Sequence, residues 1–135
     1  MSPIQDPTKK GAVAIDFDGV INSYVSGFVA LDKIPDPPVP GAIDYIKMLL
    51  REKYKVFIFS TRNLDISGTR AVKDYLETHG LSRDEMAELE FPTSKPRAIL
   101  YVDDRGYHFT GDNFPSTEFI DSFKPWTKRE SSSKI

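Results

Sequence analysis

Apolar residues in this chain fall into short blocks separated by amphipathic stretches. Ala12-Val13-Ala14-Ile15, Val56-Phe57-Ile58-Phe59 and Ala98-Ile99-Leu100-Tyr101-Val102 are brief runs rich in β-branched and aromatic side chains. Runs this short, bounded by polar and turn residues, predict buried strands rather than helices. Between the first two, Ile43, Ile46, Leu49 and Leu50 recur at helical spacing and predict a helix over residues 42–53 with one face on a sheet. Asp44 in its first turn and Arg51 and Lys53 in its last suit the helix dipole. Past a polar loop at 63–67, Val72, Tyr75, Leu76 and His79 mark the buried face of a second helix. Asp65 or Ser67 caps it and Gly80 ends it. On that spacing His79 reads as a residue at the boundary of the core rather than a ligand. Ser82-Arg83-Asp84-Glu85 has the form of a capping box and starts a short helix. Leu89-Glu90-Phe91 predicts a short strand stopped by Pro92. Tyr107-His108-Phe109 is expected as a further strand, and Ser116 or Thr117 as the cap of a helix ending near Phe123.

Strands alternating with helices on short connections predict an α/β fold, a mainly parallel sheet covered on both faces in a Rossmann-like three-layer sandwich. Residues 21–31 alternate β-formers with Ser, Asn and Gly, so a short β-hairpin flap turning at Gly27 is expected. Pro35, Pro37, Pro38 and Pro40 then make a stiff extended segment that cannot be helical. The chain divides into a loose arm (1–10), one folded domain (11–123) and a polar, serine-rich tail (124–135) with Trp126 as its anchor.

Composition narrows the chemistry. With no cysteine there are no disulfides, no thiol nucleophile and no cysteine-bound zinc, and with only His79 and His108 no multi-histidine metal site. A net charge of −2 gives no general attraction to nucleic acid, so contact with a polynucleotide would need a local basic patch. No apolar run reaches membrane-spanning length and the first ten residues lack a signal-type apolar core, so a cytoplasmic protein without a membrane partner is expected.

The polar groups that follow the apolar blocks carry the functional signal. Side chains two apart on a strand share a face, so Asp16 and Asp18 are expected to converge just past the first strand, with Phe17 packing opposite. Gly19 lets the backbone turn tightly there. Two converging carboxylates need a compensating charge, and an all-oxygen donor set suits magnesium. A lone DxD is more often a solvated acidic turn. Here, however, the second block ends in Ser60-Thr61-Arg62 and the third in Asp103-Asp104-Arg105, with Lys95 upstream. Open α/β sheets bind ligands at such carboxyl ends.

The order DxDG, Ser, Lys, Asp-Asp resembles the haloacid dehalogenase-like (HAD) superfamily of phosphotransfer enzymes, over residues 11–121. The resemblance implies a magnesium-dependent phosphatase of the small, uncapped type. The intervals before Ser60 and before Lys95 are too short for a cap domain. It implies Asp16 as the nucleophile that forms an aspartyl-phosphate, and Asp18 as general acid and base. Ser60, or Thr61 one residue on, would bind a phosphoryl oxygen, and Lys95 would contact nucleophile and phosphoryl group. Asp16, Asp18 through its carbonyl, Asp103 and Asp104 would hold Mg2+. Arg62 and Arg105 are candidates for a second anionic part of the substrate, or for pairing with the acids. Tyr24 and Phe28 in the flap are candidates for stacking on a base. DFDG, FSTR and YVDDR are similar to nucleotidase and polynucleotide-phosphatase branches, which implies a nucleotide-type phosphate as substrate. A response-regulator receiver uses similar groups, but its lone aspartate lies on a middle strand, where this chain has Ser60. The main alternative is a HAD-fold phosphate-binding or regulatory protein without turnover. The complete acid set argues against it.

Overall fold

The computed structural model describes residues 10–128. The arm over 1–9 and the tail beyond 128 lie outside the described residues. Four strands, β1 (Ala12–Asp16), β2 (Lys55–Phe59), β3 (Leu89–Glu90) and β4 (Leu100–Val102), form one all-parallel sheet in the order β3-β2-β1-β4. The predicted helices are present as α1 (Ala42–Arg51), α2 (Ile66–Thr78), α3 (Arg83–Ala87) and α4 (Thr117–Ser122).

The caps are the residues the sequence nominates. Asp65 accepts the Ser67 N–H at the start of α2, Ser82 and Glu85 complete a capping box on α3, and Ser116 accepts the Phe119 N–H on α4. α1 stops two residues before the expected end, because Lys53 takes a positive φ of 71°. No described helix is long and apolar enough to cross a membrane.

The topology explains where the core sits. Strands β1, β2 and β3 step in one direction, so right-handed crossovers carry α1 and α2 over the same face of the sheet. Val13, Ile15, Val56 and Ile58 share that face and cluster with Ile46, Leu49 and Leu50 of α1 and Val72, Tyr75 and Leu76 of α2. Phe17 is fully buried there, edge-on to Tyr75 with ring centroids 5.3 Å apart. The return from β3 to β4 carries no helix, and α4 buries none of its side chains. Among the described residues the expected third layer is therefore missing, and Phe57 and Phe59 on the opposite face are only partly buried.

Other expectations need correction. The third apolar block forms a shorter strand at the edge of the sheet, with Leu100 and Tyr101 exposed rather than buried. No hairpin forms in residues 17–41. Gly27 donates its N–H to Tyr24 to close a turn, but residues 28–31 do not pair back on 21–26, and Asn22 bridges instead to Pro38. Only single bridges, Asn22 with Pro38 and Ala30 with Lys33, mark that segment. Tyr107 to Phe109 is not a strand either. Asn113 draws it into a local knot, donating to the His108 carbonyl and accepting the Thr110 N–H. His79 is exposed, with its ring 4.5 Å from that of Tyr75.

Candidate active site

β1 and β4 run side by side and in parallel, so their carboxyl ends deliver Asp16 and the Asp103-Asp104 pair to one place. Carboxylate oxygens of Asp16, Asp103 and Asp104 lie within 4.8 Å of one another. Burial pushes the Asp16 carboxyl up to about 8, helped by the charge of Asp104, a hydrogen bond shared with Asp104 and the charge of Asp103. The Phe17 N–H, donated to Asp16 Oδ1 at 2.8 Å, opposes that rise. Asp16 holds its proton because burial and the neighbouring acids both disfavour its charged form. Their all-oxygen donor set fits a hard divalent cation.

Gly19 makes this assembly possible. Its φ is 86°, and a Cβ there would collide with the Asp104 carboxylate. The Gly19 carbonyl in turn accepts the indole N–H of Trp126 at 2.6 Å, so the end of the described chain is fastened to the same turn. The Asp103 carboxylate accepts the Arg105 N–H at 2.6 Å.

Asp18 takes a different direction. β1 ends at Asp16, so the alternation that would have set both acids side by side stops one residue too early. Asp18 Oδ1 accepts the Asn22 side-chain amide at 2.8 Å, and Oδ2 accepts Arg62 Nε–H at 2.9 Å. The Asp18 carboxylate is thus held by donors and stands apart from the acid trio.

Arg62 is 1% exposed and bonded through both its Nε and its Nη1. Its Nη1 donates to the carbonyls of Ala30 and Leu31, each at 2.7 Å, while Nε holds Asp18. Of the two sequence readings, substrate contact or pairing with an acid, this geometry is the second. The polar loop expected after β2 is a tight 3₁₀ turn, Thr61–Leu64, which turns Arg62 and Asn63 inward. Ser60 caps that turn. It is buried, and its hydroxyl oxygen accepts the Arg62 N–H at 3.1 Å, which leaves its proton for an acceptor in the site. Thr61 is exposed beside it.

Lys95 is not brought to the acids. It is exposed, with its ammonium 4.4 Å from the centroid of the Tyr101 ring. Tyr101 faces Ala14, and Ala14 shares a sheet face with Asp16. Arg105 is exposed next to the trio. Burial and then the Asp18 charge raise the Tyr24 phenol, with Arg105 and Asp104 also within electrostatic range, so Tyr24 borders the site. Phe28 is exposed, with the Arg62 guanidinium 5.5 Å from its centroid.

Sequence reasoning passed over Asn22 and Asp36. Asn22 is 1% exposed, and a lone asparagine in the apolar stretch Val20 to Ile21 beside Asp18 was the available signal. Asp36 accepts from both the N–H and the hydroxyl of Ser26, and its carbonyl accepts from Tyr75, so it ties the flap segment to α2.

Comparison with family models, with curated proteins and with solved structures found no match.

Proposed function

We propose that this chain is a magnesium-dependent phosphomonoester hydrolase of the haloacid dehalogenase-like type, working through an aspartyl-phosphate on Asp16. The observation that carries the reading is the crowded trio of Asp16, Asp103 and Asp104 at adjoining strand ends, with Asp18 held separately by Arg62 and Asn22. A nucleophile and an acid of the same residue type need different surroundings to act differently. Here burial among acids holds a proton on Asp16, which a bound cation would displace to free the nucleophile, and Asp18 accepts from Arg62 and Asn22.

In this reading Asp16, Asp103 and Asp104 would hold Mg2+, and its charge would offset the crowded carboxylates and the incoming phosphate. Asp16 attacks phosphorus in line, the ester oxygen leaves with a proton from Asp18, and Asp18 then takes a proton from the water that frees phosphate. Ser60 donates its hydroxyl proton to a phosphoryl oxygen. Lys95 swings from Tyr101 along the open sheet face to the phosphoryl group. Residues 17–41 hold turns rather than a domain, which supports an uncapped site open to large substrates. A nucleotide or polynucleotide-end phosphate is the substrate class that the sequence resemblance favours, with exposed Phe28 as a surface for a base. Arg105 is the remaining basic candidate for a second phosphate.

One observation favours a second reading, a phosphate-binding or regulatory protein of the same fold without turnover: Lys95 sits on Tyr101 and away from the acids. Hydrolysis of an aryl phosphate and a panel of nucleotides, with and without Mg2+, separates the two. Metal-dependent turnover, lost in Asp16→Asn and in Asp18→Asn, is expected. Magnesium binding without turnover of any substrate would select the second reading, and turnover that persists in Asp16→Asn would remove the nucleophile assignment.

A further inference from the structure

An indole has one polar group, its N–H, and two apolar π faces. In Trp126 the N–H is taken by the Gly19 carbonyl at 2.6 Å, while 48% of the residue stays exposed. At about 250 Å² for a tryptophan side chain, roughly 120 Å² of it remains in water. Pro125 beside it is buried, and the Lys128 N–H closes a turn onto the Pro125 carbonyl at 2.9 Å, so the ring stands on a seated segment. Other exposed rings already face a partner: Phe28 the Arg62 guanidinium, Tyr101 the Lys95 ammonium, Tyr107 the ring of Phe119 and Phe109 that of Phe114. Among the described residues no ring or cation lies on Trp126. It is fixed by its edge and left half in water.

Its place is set by the same glycine that admits Asp104 to the trio. A Cβ on Gly19 would overlap Asp104 Oδ2, so through the Gly19 backbone the indole nitrogen lies at most about 9 Å from that oxygen. The inference rests on the reading of the trio as a phosphate site. A phosphomonoester held there carries the rest of its ester to the indole over about the length of one sugar. A sugar packed on the ring would need partners for its hydroxyls, and the single indole donor is already bonded. A nucleobase presents a flat π face that stacks on an aromatic side chain with no further polar partner.

We propose that Trp126 is the stacking platform for the nucleobase of a substrate whose phosphate lies at the acid trio. The chemistry is shared by a free nucleoside monophosphate and by the terminal nucleotide of a strand. Every base has a π face, so the ring selects for the presence of a base and not for its identity.

The test is equilibrium binding to the full chain, with Mg2+, of phosphonate analogues in which carbon replaces the ester oxygen and nothing is hydrolysed. The analogues are those of adenosine monophosphate, of ribose phosphate and of a short oligonucleotide with a terminal phosphate. Trp126 is the only tryptophan, so its emission reports on the ring directly. The adenosine analogue is expected to quench that emission and, by calorimetry, to bind about 5- to 150-fold tighter than the ribose analogue. Trp126→Phe and Trp126→Leu both lose the bond to Gly19, but only phenylalanine keeps an aromatic face. Leucine is expected to remove most of the preference for the base and phenylalanine to keep part of it, so the difference between them reads stacking and not anchoring. An oligonucleotide that binds tighter than the adenosine analogue, with the same loss in Trp126→Leu, assigns the platform to a strand end; otherwise it serves the free nucleotide. Equal affinity for the adenosine and ribose analogues overturns the proposal, as does no binding of either or a preference that survives in Trp126→Leu. Turnover of an aryl phosphate judges the phosphatase reading separately. That reading stands where the base adds nothing, and it falls, with the platform intact, where analogues bind but no substrate turns over.

Discussion

Replacing Arg62 by methionine keeps most of the side-chain volume and deletes the buried cation. Removing one member of a buried ion pair costs about 3–5 kcal/mol, because the other charge is left behind. Asp18 keeps 20% side-chain exposure and its bond from Asn22, so water restores part of its solvation. This part of the loss is therefore about 2–3 kcal/mol. The carbonyls of Ala30 and Leu31 each lose a charged donor at 2.7 Å, at about 1 kcal/mol apiece. The expected total is about 4–5 kcal/mol, a large share of the ~5–15 kcal/mol that holds a domain together. With a urea slope of about 1–3 kcal/mol per M, the unfolding midpoint falls by roughly 1–5 M, read by circular dichroism. Arg62→Lys is expected to lose an intermediate amount, since a compact ammonium cannot serve Asp18 and the two carbonyls together. In a double-mutant cycle, Asp18→Asn added to Arg62→Met is expected to cost less than the separate losses summed, by about 1–3 kcal/mol. A loss under about 1 kcal/mol in Arg62→Met, combined with a raised KM, would show a substrate contact and refute the structural role.

The cation-free protein is expected to lose stability as pH rises from about 4 to about 8, because the unfolded chain releases the Asp16 proton near 3.9 while the folded chain holds it to about 8. The loss is on the order of a few kcal/mol, and thermal melts of Asp16→Asn, or of the native chain with saturating Mg2+, should not show it; a flat cation-free profile over this range would contradict the crowded trio. Gly19→Ala forces a Cβ against the Asp104 carboxylate at a φ of 86°, so it is expected to cost about 1–3 kcal/mol and to weaken Mg2+ binding at least tenfold by calorimetry. Trp126 is the only tryptophan and its indole N–H is bonded to the Gly19 carbonyl, so its emission should shift on adding Mg2+, revert on chelation, and stay unchanged in Asp104→Asn.

What could be read from the sequence was whatever depends on neighbours along the chain. The caps at Asp65, Ser82 and Ser116 satisfy N–H groups two or three residues away, so their chemistry is local and the structure has them where the pattern does. The strand cores of β1 and β2 are equally local. The hairpin failed because a ladder depends on which segment lies opposite, and Asn22 meets Pro38 of the later proline segment rather than residues 28–31. The β4 block failed for a related reason. An apolar run reports what a strand is able to bury, while its place at the edge of the sheet is fixed by topology, in this case a return from β3 that carries no covering helix.

The site shows the same division, with a consequence for how it works. Asp16, Asp103 and Asp104 meet because parallel neighbouring strands must end together, which the chain order of the strands implies once the sheet is accepted. Asp18 and Arg62 are 44 positions apart, and no local pattern pairs them. A buried guanidinium takes whatever acceptors the fold brings within reach. Here those are one carboxylate and the carbonyls of the segment that rims the site. The same side chain therefore sets the direction of Asp18 and the position of residues 30–31. A displacement of that rim, by a substrate or by a variant, is transmitted to the Asp18 carboxylate through one rigid planar group. Asn22 holds the second Asp18 oxygen, so such a displacement turns the carboxylate about that bond without releasing it. This coupling makes flap position and proton donation a single variable in the proposed reaction.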